Sequence, residues 1–367
     1  MDIRKIIETP ALIIDYKQVL DNLKWVQDLA NSKKVNLRPH TKTHKMPFFA
    51  RKQVDEGAVG IAVAKVGEAE VMARGGIKNI LIANEIVGID KYKRIRALED
   101  ISEVMVGIDN KVQVEQISRV FSKEKPLKVM IELEVGECRS GIVTEDQLRD
   151  LVEACKQTPE LNLIGIFSHE GNTYRAKSGE DAKKTAEESY RRTLHAAEII
   201  RSMGVNLKIV SVGATPSVLN GAYVEGISEY RIGTYIFMDV GQSNAIGDYS
   251  RVAATVLATV ISKPTEDRVI LDSGAKALAA QNRTEGICAS GGFGVIKGHE
   301  DIKIKNLFDE HAVIEDARFS KMVEIGDKVE VIPSHICPTV NLYDRAYLLN
   351  GNELERVLTI EARGKTQ

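Results

Sequence analysis

The sequence predicts an α/β fold in which a TIM (β/α)8 barrel is followed by a mostly β C-terminal domain. Eight short runs rich in Val and Ile alternate with longer charged segments of helical period, as in a parallel sheet with crossover helices. The length of 367 residues accommodates a barrel of about 250 residues and a smaller domain. After about residue 245, strand-like runs separated by turns replace the helical patterns.

These patterns set the expected boundaries. We expect the barrel over residues 16–242 and the β domain over residues 1–15 and 243–367. The expected barrel strands are residues 35–39, 60–64, 79–84, 103–107, 127–134, 161–168, 207–212 and 229–237. Helices are expected over residues 66–74 and 179–203. A doubly wound sheet is the alternative, because a strand count from one sequence can be wrong by one or two.

The β domain is expected to contain strands at residues 252–261, 268–272, 312–314 and 328–333. An opening run at residues 11–15 precedes the eight-unit rhythm. It can therefore pair with the β domain instead of the barrel.

Composition argues against several classes of protein. The 50 basic residues nearly balance the 52 acidic ones and are spread along the chain, so nucleic acid is not an expected partner. No apolar run approaches the roughly 18 residues of a membrane span, and no long apolar core opens the chain. We therefore expect a cytoplasmic protein that does not enter a membrane. Its four cysteines have no paired spacing, which fits reduced thiols.

Lys42 lies toward the end of a short run, residues 35–45, that is expected to be extended, with His40, His44 and Lys45 close to it in sequence. A strand that delivers one amine to the open end of a barrel can hold a Schiff-base lysine, and cationic or desolvating neighbours make such an amine more nucleophilic. A solvated basic loop is the alternative explanation. Lys42 is therefore a candidate for covalent chemistry.

Two glycine-bearing segments, residues 212–217 and 231–235, belong to the seventh and eighth expected strands and the loops after them. Loops after these strands are the usual phosphate site of a TIM barrel. Backbone N–H groups at a helix N-terminus can face an anion there, and glycines permit close approach. Ordinary turns are the alternative for either segment alone. Thr215, Ser217 and Thr234 are candidate hydroxyl donors.

His335 and Cys337 are two residues apart in the expected β domain. On an extended strand such residues face the same side, so an imidazole nitrogen and a thiolate sulfur can bind one metal ion. Two protein ligands leave positions for water or substrate, which is typical of a catalytic metal site. A buried apolar thiol is the alternative for Cys337.

Several ordered motifs extend these observations along nearly the whole chain. They are ETPA at residues 8–11, RPHTKTHK at 38–45, AKVGEAE at 64–70, SHEGNTY at 168–174, GATP at 213–216 and HICPTVN at 335–341. With them, the chain resembles the metal-activated pyridoxal-phosphate enzymes of fold type III that include D-serine dehydratase and D-threonine aldolase. The resemblance implies an alanine-racemase-like barrel, a β domain and a homodimer.

The resemblance also implies pyridoxal 5′-phosphate and a divalent metal as cofactors. It makes Lys42, and not Lys45, the lysine that forms the Schiff base with pyridoxal phosphate. It assigns Arg139 to the phenolic oxygen of the cofactor and Arg231 to the pyridine nitrogen. Gly213, Thr215, Gly233 and Thr234 match the phosphate site, and His335 and Cys337 match the metal site. A thiolate ligand favours zinc over manganese or magnesium.

His169 and Tyr174 follow the sixth expected strand, where they can reach cofactor or substrate, although a structural role in the barrel is the alternative for both. The implied reaction is that of a lyase acting on a β-hydroxy-D-amino acid. The dehydratases of the family carry His-x-Cys and Gly-Asn-Thr-Tyr, as this chain does, whereas the well-described aldolases carry His-x-Asp. Elimination to a 2-oxo acid and ammonia is therefore favoured. Retro-aldol cleavage to glycine and an aldehyde, a racemase and a non-catalytic carrier are alternatives.

Overall fold

The computed structural model describes residues 2–367 and contains two sheets. The strands are β1 (Ala11–Asp15), β2 (Asn36–Leu37), β3 (Ile61–Val63), β4 (Asn79–Ile82), β5 (Glu103–Ile108), β6 (Leu127–Leu133), β7 (Leu161–Ser168), β8 (Ile209–Val212), β9 (Glu229–Tyr230), β10 (Ala254–Ser262), β11 (Arg268–Leu271), β12 (Gly294–Ile296), β13 (His299–Leu307), β14 (Ala312–Glu315), β15 (Lys328–Pro333), β16 (Arg345–Asn350) and β17 (Glu353–Thr359).

The helices connect these strands. They are α1 (Tyr16–Ser32), α2 (Pro47–Glu56), α3 (Val66–Arg74), α4 (Ile89–Leu98), α5 (Lys111–Ser118), α6 (Glu145–Lys156), α7 (Gly179–Ser202), α8 (Thr215–Leu219), α9 (Val240–Ile246), α10 (Ala317–Met322) and α11 (Ile336–Val340). Single 3-10 turns occur at Ile3–Lys5, Thr41–Thr43, Gly171–Arg175 and Thr234–Ile236. Among residues 2–367, no helix is long and apolar enough to span a membrane.

Contacts divide the chain into two units. The barrel unit comprises Val26–Lys42, Met46–Gly233 and Gly364–Gln367. The β unit comprises Thr43–Lys45, Thr234–Arg363 and the residues up to Trp25.

Eight parallel strands form the sheet of the barrel unit, in the order β2-β9-β8-β7-β6-β5-β4-β3. Its two edge strands meet through the segments beside them, where the Val59 amide donates to the Leu37 carbonyl (2.9 Å) and the Ala62 amide to the Pro39 carbonyl (2.8 Å). These bonds close the sheet. The expected TIM-like architecture is confirmed.

Buried apolar side chains line the strands of this sheet, as expected for strands covered on both faces. One cluster joins Ala62, Leu81, Met105, Met130 and Phe167, each from a different strand. Helix α3 has the expected bounds, and α7 ends one residue before the expected position. Because Ser178 caps α7 by accepting a hydrogen bond from the Asp181 amide, the long helix begins where its polar N-cap stands.

The last barrel strand is much shorter than expected. The apolar run at residues 229–237 predicted one strand, but β9 ends at Tyr230 and a 3-10 turn occupies Thr234–Ile236. Every residue of this run is buried, the charged Glu229 and Arg231 included, whatever its backbone conformation. Burial alone does not distinguish a strand from a packed turn.

The β unit contains a mostly antiparallel sheet. Strands β10, β11, β14, β13, β12 and β15 pair in a closed ring, and β1, β16 and β17 extend it. Side chains alternate along β10, so that Val256, Ala258 and Val260 enter the core of the ring while Leu257 packs with Ile13 on the opposite face. Strand β1 pairs with β10 and β16, so the opening run does belong to the β sheet.

Candidate active site

Lys42 lies on the 3-10 turn Thr41–Thr43, beyond the end of β2. The expected extended run up to this residue was wrong, because the chain leaves the sheet after the bridge between His40 and Ala62. The backbone amide of Lys42 donates to Nδ1 of His40 over 3.3 Å. Lys42 is thus placed on a tight turn at the carboxyl end of the barrel, the face that carries active sites in this fold.

Four of the candidate residues gather around His40. Burial, the positive charges of Lys42 and Arg231, and the neighbouring His169 and Arg139 side chains hold the pKa of the His40 imidazole well below its usual value. His40 is therefore neutral at physiological pH. The concentration of cationic groups makes this rim of the barrel suited to an anionic ligand such as a phosphate or a carboxylate.

His169 follows β7, and one hydrogen bond determines which of its ring nitrogens carries the proton. Its Nδ1 lies 2.9 Å from the carbonyl oxygen of Gly213, which can only accept, so Nδ1 carries the proton. Burial and the charges of Lys42 and Arg139 hold the pKa of His169 well below its usual value. The Nε2 lone pair of this neutral imidazole is therefore available as a base. The Tyr174 ring lies 6.3 Å from the imidazole, centroid to centroid.

Arg139 lies between two carboxylates in the loop after β6. Its Nη2 is 3.5 Å from Oε1 of Glu132, and its Nη1 is 3.2 Å from Oε2 of Glu137. The same Glu137 oxygen lies 3.8 Å from Nε2 of His169. Gly171 leaves room for this carboxylate, because a Cβ atom there would lie 2.0 Å from Oε1 of Glu137.

Glu132 and Glu85 form a hydrogen-bonded carboxyl pair that the sequence did not indicate. Burial, this hydrogen bond and the charge of Glu85 raise the pKa of Glu132 to about 8, although Arg139 and Arg231 act in the opposite direction. Two carboxyl groups can share a hydrogen bond only if one keeps its proton. Glu132 is therefore the protonated member at neutral pH.

Arg231 is buried and has defined partners. Its guanidinium donates to the Ser211 hydroxyl over 2.9 Å and to the Ser168 carbonyl over 2.8 Å. It also lies over the Phe167 ring at 4.7 Å. These contacts hold the cation among the carboxyl ends of β7, β8 and β9.

The first of the two expected phosphate segments forms a close loop. Helix α8 begins at Thr215, as expected. Gly213 has φ +150°, and a Cβ atom there would lie 2.8 Å from the Arg231 amide nitrogen. The Gly213 and Ala214 amides donate to the buried Glu170 carboxylate over 3.1 and 2.6 Å. Gly213 therefore allows its loop to pack closely against the backbone of Arg231. Its amide is already hydrogen-bonded to Glu170 within the protein.

Glu170 also accepts from the hydroxyls of Ser217 (2.7 Å) and Tyr190 (3.1 Å). The carboxylate thus joins the loops after β7 and β8. Gly233 follows β9 in the barrel unit. Thr234 belongs to the β unit, where its hydroxyl lies 3.7 Å from the Cys337 sulfur.

The metal candidates do not lie on a strand as expected. Strand β15 ends at Pro333, His335 is the N-cap of α11, and Cys337 lies in its first turn. The alternation of an extended strand therefore does not place them on one face. The buried carboxylate of Asp239 accepts from the Ile336 amide at 3.1 Å, which supports a turn instead of a sheet bond.

Nδ1 of His335 is 2.8 Å from Oε1 of Gln281, and Sγ of Cys337 is 3.3 Å from Oγ1 of Thr43. Within residues 2–367, no three or more His, Cys, Asp or Glu side chains form a cluster able to hold a metal. The imidazole and thiol are a donor pair that zinc accepts, and a hydrogen bond on the second imidazole nitrogen is typical of ligating histidines. The donor chemistry of the pair therefore fits zinc.

The barrel with a lysine at its carboxyl rim, joined to a β domain with a histidine–cysteine pair, defines the fold type III class. The alanine racemase N-terminal domain model matches residues 14–240, and the putative serine dehydratase domain model matches residues 253–349. The chain belongs to the alanine racemase N-terminal domain family.

Individual relatives match over nearly the whole length. D-threonine aldolase of Arthrobacter sp. is 30% identical, with 98% of this chain and 93% of the relative covered. The structure of D-threonine aldolase from Filomicrobium marinum has a TM-score of 0.89 at 28% identity, covering 99% of this chain and 98% of that one. That of D-threo-3-hydroxyaspartate dehydratase from Delftia sp. HT23 has a TM-score of 0.90 at 25% identity, covering 98% and 99%.

Sequence reasoning missed the acidic residues of the site, Glu85, Glu132, Glu137 and Glu170. A signal was available for two of them. Glu132 interrupts an apolar run near the carboxyl end of a buried strand, and Glu170 lies within the motif at residues 168–174. A charge that is fully buried must have partners, so both positions indicated a polar site.

Proposed function

We propose that this protein is a lyase that uses pyridoxal 5′-phosphate and a divalent metal to act on a β-hydroxy-D-amino acid. The observation that carries the proposal is the grouping of Lys42, Arg139, His169 and Arg231 at the carboxyl rim of the barrel. The Lys42 amide donates to His40, Glu137 lies beside both Arg139 and His169, and Arg231 donates to the Ser168 carbonyl. Membership of the family, and relatives named as aldolases and a dehydratase of such amino acids, support it.

Pyridoxal phosphate would supply an electron sink and the metal a Lewis acid. The residues present fit the cofactor: a lysine on a tight turn, and arginines beside it that can face anionic groups. Lys42 would hold the cofactor covalently. Gly213, Thr215, Gly233 and Thr234 would form its phosphate site.

The cationic residues would orient the cofactor. Arg139 is our candidate for its phenolic oxygen and Arg231 for its pyridine nitrogen. Because Glu132 keeps its proton, it neutralises little of the Arg139 charge, and Glu137 is the carboxylate that pairs with this arginine.

Proton transfer would depend on Lys42 and His169. The free amine of Lys42 would remove the α-proton of the substrate. Because the Gly213 carbonyl holds the proton of His169 on Nδ1, its Nε2 would accept a proton from the substrate hydroxyl. Tyr174, whose ring lies beside the imidazole, would contact cofactor or substrate.

His335 and Cys337 would hold the metal, for which a thiolate favours zinc over manganese or magnesium. We further propose that residues 16–242 form the cofactor domain and that residues 1–15 and 243–367 form the metal domain. The family resemblance supports a homodimer, which sedimentation equilibrium would test.

Elimination to a 2-oxo acid and ammonia is our first candidate reaction, because the chain carries His-x-Cys and Gly-Asn-Thr-Tyr. Retro-aldol cleavage to glycine and an aldehyde is the second. The similarity to the Arthrobacter and Filomicrobium aldolases favours it, as does a histidine base suited to a hydroxyl proton.

The test is to supply the purified protein with pyridoxal phosphate and zinc and to add D-threonine, L-threonine, D-serine and D-threo-3-hydroxyaspartate separately. NMR identifies the products. From D-threonine, 2-oxobutanoate and ammonia indicate elimination, whereas glycine and acetaldehyde indicate cleavage. Epimerised amino acid, or no product from any substrate, would contradict the proposal.

The covalent attachment is tested separately. Borohydride reduction followed by peptide mass spectrometry should find the cofactor on Lys42 and not on Lys45. The Lys42→Ala variant should lose the lysine-linked chromophore and the activity. Attachment at another lysine would refute the assignment.

A further inference from the structure

The side chain of His335 is oriented by a neighbouring loop. Oε1 of Gln281 lies 2.8 Å from its Nδ1. An amide oxygen has no hydrogen to donate, so Nδ1 carries the proton in this contact and the lone pair of the neutral ring is on Nε2. A metal requires such a lone pair.

The Gln281 loop and the His335 turn are connected at several points. The Ser334 hydroxyl donates to the backbone carbonyl of Gln281 over 2.5 Å. The Thr339 hydroxyl donates to the His335 carbonyl over 2.9 Å and lies 3.4 Å from the Ala279 amide, which donates to it. The backbone of Gln281 is therefore held by hydrogen bonds that do not involve its side chain. This fixed backbone determines where the side-chain amide can reach.

Gln281 itself is exposed. It contributes no side chain to the core of the β unit, so its replacement should leave the fold intact. An exposed glutamine held against an imidazole needs a reason other than packing, since ordering its side chain costs conformational entropy.

We propose that Gln281 is a positioning residue for the metal: its amide oxygen selects the Nδ1–H form of His335 and orients the ring, leaving Nε2 as the ligand atom. This inference rests on the metal site of the proposed function. Hydrogen-bond partners of ligating histidines fix the tautomer and raise the basicity of the ligand, and their loss typically lowers metal affinity by about 10- to 100-fold.

The test measures zinc affinity of the full-length protein loaded with pyridoxal phosphate, by competition with a chromophoric chelator. Gln281→Leu removes the acceptor and should weaken zinc binding about 10- to 100-fold. Gln281→Glu retains an acceptor oxygen and should bind zinc at least as tightly as the parent protein. The thiolate absorption band of the cobalt-substituted variants should persist, because Cys337 is untouched.

Asn282→Ala is the matched control. The Asn282 side chain accepts from the Ser290 hydroxyl at 2.7 Å in the same loop and does not serve His335 in this way. Its loss should change zinc affinity by less than about threefold, within the usual range of a surface substitution. If Asn282→Ala weakens binding as much as Gln281→Leu, the effect comes from loop stability and the inference is wrong.

Cys337→Ser separates the inference from the metal site on which it depends. If the parent protein and Cys337→Ser bind zinc equally, the proposed metal site fails. If Cys337→Ser loses zinc while Gln281→Leu binds as tightly as the parent, the metal site stands and only the role of Gln281 is refuted.

Discussion

Replacing Glu132 with glutamine should stabilise the protein increasingly as pH rises. Glu132 is 4% exposed on β6, and burial together with its hydrogen bond to Glu85 raises its pKa to about 8. A glutamine keeps the shape and the donor of a protonated carboxyl group. Glutamine has no carboxyl proton to lose. The free-energy cost of keeping Glu132 protonated in the folded protein at higher pH therefore disappears.

The direction of the pH dependence follows from the difference between the pKa of Glu132 in the folded and in the unfolded protein. Between the ordinary carboxyl pKa and about 8, Glu132 ionises in the unfolded chain but stays protonated in the folded one. The stability that neutral Glu132 contributes is therefore complete below the unfolded pKa of about 4.5 and is lost as pH rises through the folded pKa.

One pKa unit corresponds to about 1.4 kcal/mol, so the ceiling for Glu132 alone is about 5 kcal/mol above pH 8. Glu85 offsets part of it. Although burial opposes the change, the hydrogen bond from Glu132 lowers the pKa of Glu85, which contributes in the opposite direction. We therefore expect Glu132→Gln to be neutral near pH 5 and stabilising by roughly 2 kcal/mol near pH 8.

Urea unfolding followed by circular dichroism at several pH values measures the difference in free energy of unfolding. Glu229→Gln is a matched control, since the Glu229 carboxylate lies 2.8 Å from Nε of Arg38 and both side chains are 3% exposed. Breaking that buried ion pair should destabilise by about 3–5 kcal/mol. If Glu132→Gln destabilises near pH 8, Glu132 is ionised and paired with Arg139, and the reasoning is refuted.

Three further substitutions test the loops of the site. Gly213→Ala places a methyl group 2.8 Å from the Arg231 amide nitrogen at φ +150°, so the urea midpoint should reveal a loss of about 3 kcal/mol; unchanged stability would contradict the close approach. Glu170→Gln removes the charge and leaves one acceptor oxygen where the Gly213 and Ala214 amides each use a different one. It should cost about 2–4 kcal/mol by the same assay, whereas a neutral effect would mean that the loops do not depend on this carboxylate. Gly171→Ala should displace the Glu137 carboxylate and lower kcat about 10- to 100-fold with little change in stability. Its control, Gly179→Ala, meets the Asn220 side chain instead and should leave kcat unchanged; equal losses in both would refute a role for Glu137.

The hydrophobic pattern alone predicted much of the fold. Six of the eight expected barrel strands overlap the observed strands closely, whereas β2 covers only residues 36–37 of the expected 35–39, and helix α3 has the expected bounds. The same pattern failed at residues 229–237, where a buried turn follows a two-residue strand. Periodicity reports which side chains are buried, and it is informative about the backbone only when the run is regular and long enough.

Within the site, the motifs identified residues but not their geometry. The sequence placed Lys42 and the His335–Cys337 pair on extended strands, and the structure places all three on or beside short helical turns. Those turns depend on partners remote in sequence, such as the Asp239 carboxylate that accepts the Ile336 amide. A local pattern carries no information about such partners.

By itself, the sequence determined the two-part architecture, the family and Lys42 as the candidate Schiff-base lysine. The reason is that hydrophobic periodicity and ordered motifs are local properties of the chain. Only the tertiary structure decided that Glu132 keeps a proton, that Glu137 lies between Arg139 and His169, and that Gln281 faces His335. Protonation and tautomer depend on burial and on atoms within a few ångströms. Here those atoms come from loops after different strands, which become neighbours only when the sheets close.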